Sequence, residues 1–195
     1  MGLMQQQPDL SGLVRLSFSE PEAGFRAMRA LNLPIEARWT MLAAAVLAGV
    51  VLAYLLPVAA GQAGELPSPL TAAAIQTGMN LAAVFLLAHV GRMFGGTGIF
   101  EDAVLLVGWL QVLMVGLQAV QVIVMLILPP LGGLVLILAI ASFFWLFSGF
   151  TCALHGFQSR LLVLLAGFGT LFALAFVASL LMVLLGIRLP GMGDA

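Results

Sequence analysis

Five apolar runs, each long enough to cross a lipid bilayer, constrain this chain more than any other feature. They cover about Trp39–Leu56, Leu70–Val90, Ala103–Leu128, Leu131–Ala153 and Leu161–Ile187. A hydrocarbon core about 30 Å thick takes roughly 20 residues of helix. Backbone groups that meet hydrocarbon must be bonded within their own segment, and runs of this length are too long for barrel strands, so helix is the form expected. Pro57 and the Pro129–Pro130 pair are expected to stop the first and third runs. The third and fifth runs exceed the bilayer thickness, which implies tilt or overhang. Composition closes the alternative of a soluble domain: 63% of residues are hydrophobic and 8% charged, against roughly 45–50% and about 25% in soluble proteins. The fold class expected is all-α: a bundle of five transmembrane helices led by a short interfacial amphipathic helix.

The basic residues, all of them Arg, set an orientation. Arg15, Arg26, Arg29 and Arg38 precede the first run, Arg92 lies between the second and third, and Arg160 between the fourth and fifth. In a protein with five spans those segments share one side, and only Arg188 falls on the other. The positive-inside rule then puts the N-terminus in the cytoplasm and the C-terminus on the periplasmic or extracytoplasmic side. No early apolar run with a small-residue cleavage site is present, so no secretory signal is expected. A net charge of −1 gives no electrostatic footprint for nucleic acid. Cys152, the lone cysteine, excludes an internal disulfide and a multi-cysteine metal site.

Three segments follow: a cytoplasmic N-terminal segment 1–38, a membrane domain 39–187, and a short tail 188–195. Met1–Pro8 reads as disordered. Ser19-Glu20-Pro21-Glu22 has the form of a helix start with an early proline. The helix after it puts Phe25, Met28 and Leu31 on one arc and Arg26 and Arg29 on another. That pattern suits a helix lying in the interface, with its arginines toward anionic headgroups.

The stretch 91–111, GRMFGGTGIFEDAVLLVGWLQ, is polar and glycine-rich between two apolar runs. A phosphate loop would need a lysine and a preceding strand, and neither is present. Glu101 and Asp102 are adjacent, about 100° apart on a helix, which suits a paired acid and base poorly. A hairpin explains more residues. Gly95, Gly96 and Gly98 break the second helix and permit a tight return. Glu101 and Asp102 fall in the first turn of the third, where the dipole favours anions. Arg92 is placed to pair across the hairpin with one of them, and Phe94, Phe100 and Trp109 supply interfacial aromatic surface, with a deeper place open to Trp109.

The same stretch, with the arginine-bearing lead and five spans, resembles the Yip1 family, in its bacterial branch. The resemblance runs from about Leu13 to Leu184 and is most specific at Gly91, Arg92, Phe94, Gly95, Gly96, Gly98, Phe100, Asp102, Ala103, Trp109 and Gln111. It implies a five-span protein with a cytoplasmic N-terminus. Eukaryotic members are adaptors in Golgi and endoplasmic-reticulum trafficking that associate with Rab GTPases and with one another. The long cytoplasmic tail of those members has no counterpart before the first run here, so the resemblance does not carry GTPase binding over.

Polar residues within the spans are few. Gln76 and Asn80 share a face of the second, Gln111 and Gln118 a face of the third. Such amides either join helices or line a path for lipid or solute. No ionisable group is expected at mid-membrane depth, where ion-coupled transporters usually hold one. His89 and His155 fall near the cytoplasmic ends of the second and fourth spans, where contact between those spans would make them a pH-sensitive or metal pair; two ligands make a poor metal site, and packing is the simpler reading. The fragments LLAHVGR and CALHGFQSR around them hint at a repeated hairpin. Ala45 with Gly49, and Gly108 with Gly116, form small-residue patches for close helix contact, within one chain or between two.

These readings lead to a non-enzymatic protein of a bacterial inner membrane, with no catalytic, cofactor or metal site. It is expected to act as a scaffold or adaptor whose partners are the bilayer, its anionic headgroups, other membrane proteins or further copies of itself. The alternative is a small transporter or lipid-moving protein that uses a polar seam between spans two and three.

Overall fold

The computed structural model describes residues 9–62, 64 and 66–184. Expectations for Met1–Pro8, for the fifth run up to Ile187, and for Arg188 with the tail 188–195 lie outside the described residues. Seven α-helices and no strand occur among the described residues: α1 (Leu10–Ser19), α2 (Pro21–Ala30), α3 (Ile35–Ala59), α4 (Pro69–Met93), α5 (Phe100–Ile127), α6 (Gly132–His155) and α7 (Arg160–Leu184). The last five are long and apolar enough to cross a membrane. The chain is thus all-α and polytopic, as its apolar runs require.

Local chemistry sets the boundaries. Pro34 is the N-cap of α3, and Ser68 caps α4 by accepting the Thr71 N–H at 3.1 Å, with Pro69 at the first helical position. Pro57 lies inside the last turn of α3 rather than ending it. Its missing N–H leaves the Ala53 carbonyl, four residues back, without its ladder donor, and the helix stops two residues later, at Ala59. Leu128 and a single 3₁₀ turn at Pro129–Leu131 separate α5 from α6. Gly156, at φ 76°, terminates α6: its N–H and that of Phe157 both reach the Cys152 carbonyl. The sequence pattern did not mark α1, a short helix whose Leu13 and Ser17 are buried. At the start of α2 the capping box is not formed: Ser19 Oγ instead donates to the Leu16 carbonyl, and Glu20 takes the N-cap position.

The chain divides after Gln158 into two units. In the first, α5 is central. It packs against α3, α4 and α6 and meets α2, while α2 also lies along α6. Every residue of α5 from Asp102 to Leu110 is buried, yet beyond Leu113 none is. On α6 the buried residues other than Gly132 lie between Leu146 and His155, and residues 133–145 are exposed or half-buried. The core therefore lies at the end of the bundle that carries α1, α2 and the α4–α5 hairpin, called here the hairpin end. In the second unit α7 is an unbroken apolar helix that begins after Ser159, whose Oγ accepts the Leu162 N–H at 3.3 Å.

Candidate functional site

The conspicuous residues of the hairpin converge on His155. Gly98 N–H donates to its Nδ1 at 3.1 Å, its Nε2 lies 3.0 Å from the Leu87 carbonyl, and Thr97 N–H donates to its carbonyl at 3.3 Å. An amide N–H only donates and a carbonyl only accepts, so the ring is the neutral tautomer with its proton on Nε2. A Cβ on Gly91 or Gly96 would overlap the imidazole, and one on Gly98 would lie 2.6 Å from Cε1. Phe157 stacks on the ring with centroids 5.3 Å apart. Of the hairpin glycines only Gly95, at φ 85°, is there for its backbone angle. Gly91, Gly96 and Gly98 form a cradle for a histidine from another span.

Four residues after Gly98, in the first turn of α5, a second cluster centres on a carboxylate. Asp102, with its side chain 8% exposed, lies 3.1 Å from Nε of Arg29 and 2.9 Å from a terminal nitrogen of Arg38. Arg38 also donates to the carbonyls of Leu33 and Glu101, at 2.9 and 2.8 Å. This clamp joins α2, the start of α3 and the start of α5. The pairing expected between Arg92 and the hairpin acids does not form: Asp102 is held by Arg29 and Arg38, and Arg92 has no ion pair among the described residues.

The same face docks α1 and α2. Trp109 Nε1–H donates to Ser17 Oγ at 3.0 Å, and Trp145 Nε1–H to the Phe18 carbonyl at 2.9 Å. Phe25 is fully buried, 5.5 Å from the Phe150 ring. Gly24 and Gly149 permit the approach: a Cβ would lie 2.5 Å from Ser17 Cα in the first case and 2.5 Å from Pro21 Cβ in the second. The amphipathic arc of Phe25 and Met28 is thus real, but protein covers it rather than lipid. Arg26 is exposed, and Arg29 is partly engaged by Asp102. Trp109 is 2% exposed and belongs to the core, not to an interfacial belt, because its indole N–H needs the Ser17 hydroxyl. Phe94 is exposed, and Phe100 is exposed with its ring 6.3 Å from Trp39.

The four amides expected to form a seam are not hydrogen-bonded to one another. Gln118 donates to the Gly49 carbonyl of α3 at 3.1 Å, and Gln111 lies beside the same glycine. Asn80 turns to α3 as well, with its Nδ2 buried and unpartnered beside a cavity of about 80 Å³ between Leu42, Val46 and Thr77. Gln76 is half-buried. The span-three amides therefore meet span one, because Gly49 and Gly108 bring α3 and α5 into close contact; Met41 and Leu42 lie against Gly108. Gly116 faces open space. The two histidines differ completely: His89 is exposed, stacked on Phe85 at 4.0 Å and bonded to its carbonyl. No group of three His, Cys, Asp or Glu side chains able to hold a metal occurs among the described residues.

Comparison with curated proteins and with solved structures gave no match. A family model described as the Yip1 domain matches residues 15–182, which takes in α2 to α6, the second half of α1 and nearly all of α7. The hairpin glycines, the histidine cradle and the Asp102 clamp all lie within that span, and the chain belongs to the Yip1 family of multi-pass membrane proteins.

Proposed function

We propose that this Yip1-family chain is a non-enzymatic scaffold in a bacterial inner membrane, with its hairpin end and N-terminus in the cytoplasm and its C-terminus outside. The observation that carries the reading is how the chemistry-bearing side chains of the hairpin end are engaged. His155, Asp102, Arg38 and Trp109 bind one another's helices. Such a network rigidifies a surface rather than leaving groups poised for reaction. The surface so held presents Met93 at 83% exposure and Phe94 at 63%, with Arg92 beside them. Large exposed apolar groups on a rigid loop suit contact with another membrane protein or with lipid. Anionic headgroups would meet Arg26 and Arg92 at that end.

Photo-crosslinking from Phe94 in native membranes tests this. A reproducible protein or lipid adduct that Arg92→Ala and Met93→Ala weaken is the expected result. No adduct above that from an exposed position at the opposite end, such as Leu126, would remove the reading.

One observation favours transport of lipid or solute as a second function. The Asn80 amide is buried without a partner, and an open apolar groove of about 500 Å³ lies farther along α3, near Tyr54 and Val58. Flux in reconstituted vesicles that disappears in Asn80→Leu and Gln118→Leu would support it; equal flux in wild type and variants would dismiss it.

A further inference from the structure

His155 joins three parts of the chain through a single protonation state. Its Nε2–H serves the Leu87 carbonyl of α4, its Nδ1 lone pair serves the Gly98 N–H of the hairpin, and its carbonyl serves Thr97. Both ring partners are backbone groups. The ionisable residues on the surrounding elements are His89 and Arg92 of α4, Glu101 and Asp102 at the start of α5, Cys152 of α6, and Glu22, Arg26 and Arg29 of α2. None of them is a hydrogen-bond partner of the ring: His89 bonds to Phe85, and Asp102 is held by Arg29 and Arg38. Neither ring nitrogen is hydrogen-bonded to a carboxylate.

We propose that His155 is an acid-sensitive latch that releases the α4–α5 hairpin from the end of α6. A second ring proton has to sit on Nδ1, where it would face the Gly98 N–H, donor against donor. The ring cannot slide away, because Gly91 and Gly96 enclose it so closely that neither site has room for a methyl group. Protonation therefore breaks the Gly98 bond and loosens the loop that follows Met93 and Phe94, the surface assigned above to partner contact. The latch itself does not depend on that assignment, since it rests on the ring and its two backbone partners.

Amide hydrogen exchange of the full chain in nanodiscs tests it, with ring nitrogen NMR on the same sample. As pH falls from about 8 to about 5, protection of the Gly98 and Thr97 amides, corrected for the intrinsic rate, falls about tenfold or more in wild type. The fall coincides with the conversion of the His155 ring nitrogens to imidazolium. In His155→Asn the side-chain oxygen still accepts from Gly98 but does not titrate, and protection stays flat. Protection that holds in wild type down to about pH 5 overturns the proposal, whether the ring titrates or stays neutral. So does a wild-type fall matched in size by His155→Asn. Should the variant not fold, the coincidence of ring titration and loop opening in wild type decides alone.

Discussion

The two ends of the bundle are built on different principles. At the hairpin end, α5 is enclosed on all sides, two indoles and a carboxylate are bonded across helices, and glycines give way to side chains from distant segments. At the opposite end the same helices carry Ile123, Leu126, Ile137 and Leu138 outward, and the buried core is absent among the described residues of α5 and α6 there. An exposed leucine in water would be a liability, but in hydrocarbon it costs nothing, because lipid tails are as apolar as the side chain. The contrast teaches where specificity resides in this fold. Lipid accepts any apolar face, so the outer halves need only be oily, whereas the hairpin end must be complementary.

Substitutions sharpen that contrast. The largest effect is expected at Asp102→Ala, which strips two guanidiniums of their shared partner. Breaking a buried pair costs about 3–5 kcal/mol, and the half-exposed Arg29 puts the value at the lower end. Unfolding in detergent micelles would show it, and stability equal to wild type would mean that the clamp contributes nothing. Gly96→Ala comes next. Its methyl group must displace the His155 ring, at about 1–3 kcal/mol, and exchange protection in the hairpin should fall with it. A smaller loss, about 1 kcal/mol, is expected for Ser17→Ala, which leaves the Trp109 indole in place and removes the hydrogen bond to it. Gln118→Leu should cost about 0.6 kcal/mol, in line with amides that join helices in lipid. At the opposite end, Leu126→Ala and Ile137→Ala should fall within about 0.5 kcal/mol of wild type. Losses there as large as that at Gly96 would erase the distinction between the two ends.

The sequence pattern told a great deal about the outer half and less about the hairpin end, for a physical reason. A span is a local property: its length and apolarity are written in consecutive residues, and all five appeared where the runs place them. Complementarity is not local. His155 meets Gly98 across 57 residues, and Arg38 meets Asp102 across 64. Reading Arg92 as the partner of the hairpin acids chose the nearest charge in the chain, whereas folding brought in Arg29 and Arg38. The glycine spacing in 91–98 was visible, and it does mark a tight turn at Gly95. Nothing adjacent signals that three of those glycines make room for an imidazole. Helix α1 is short, ten residues, and its Ser17 is buried by a bond to Trp109, 92 residues on, which nothing adjacent signals. The arc of Phe25 and Met28 was legible as amphipathic, but amphipathy does not say whether lipid or protein covers it.

That last ambiguity bears on the central claim, that α1 and α2 close the hairpin end as part of one protein core. Single cysteines through α2, placed in a Cys152→Ala background and probed in membranes with one water-soluble and one lipid-soluble reagent, address it directly. With α2 docked, cysteines replacing Phe25 and Met28 resist both reagents, while one replacing Arg26 reacts with the water-soluble reagent. If Phe25 and Met28 positions react readily with the lipid-soluble reagent, α2 lies in the bilayer surface and the closed hairpin end does not exist.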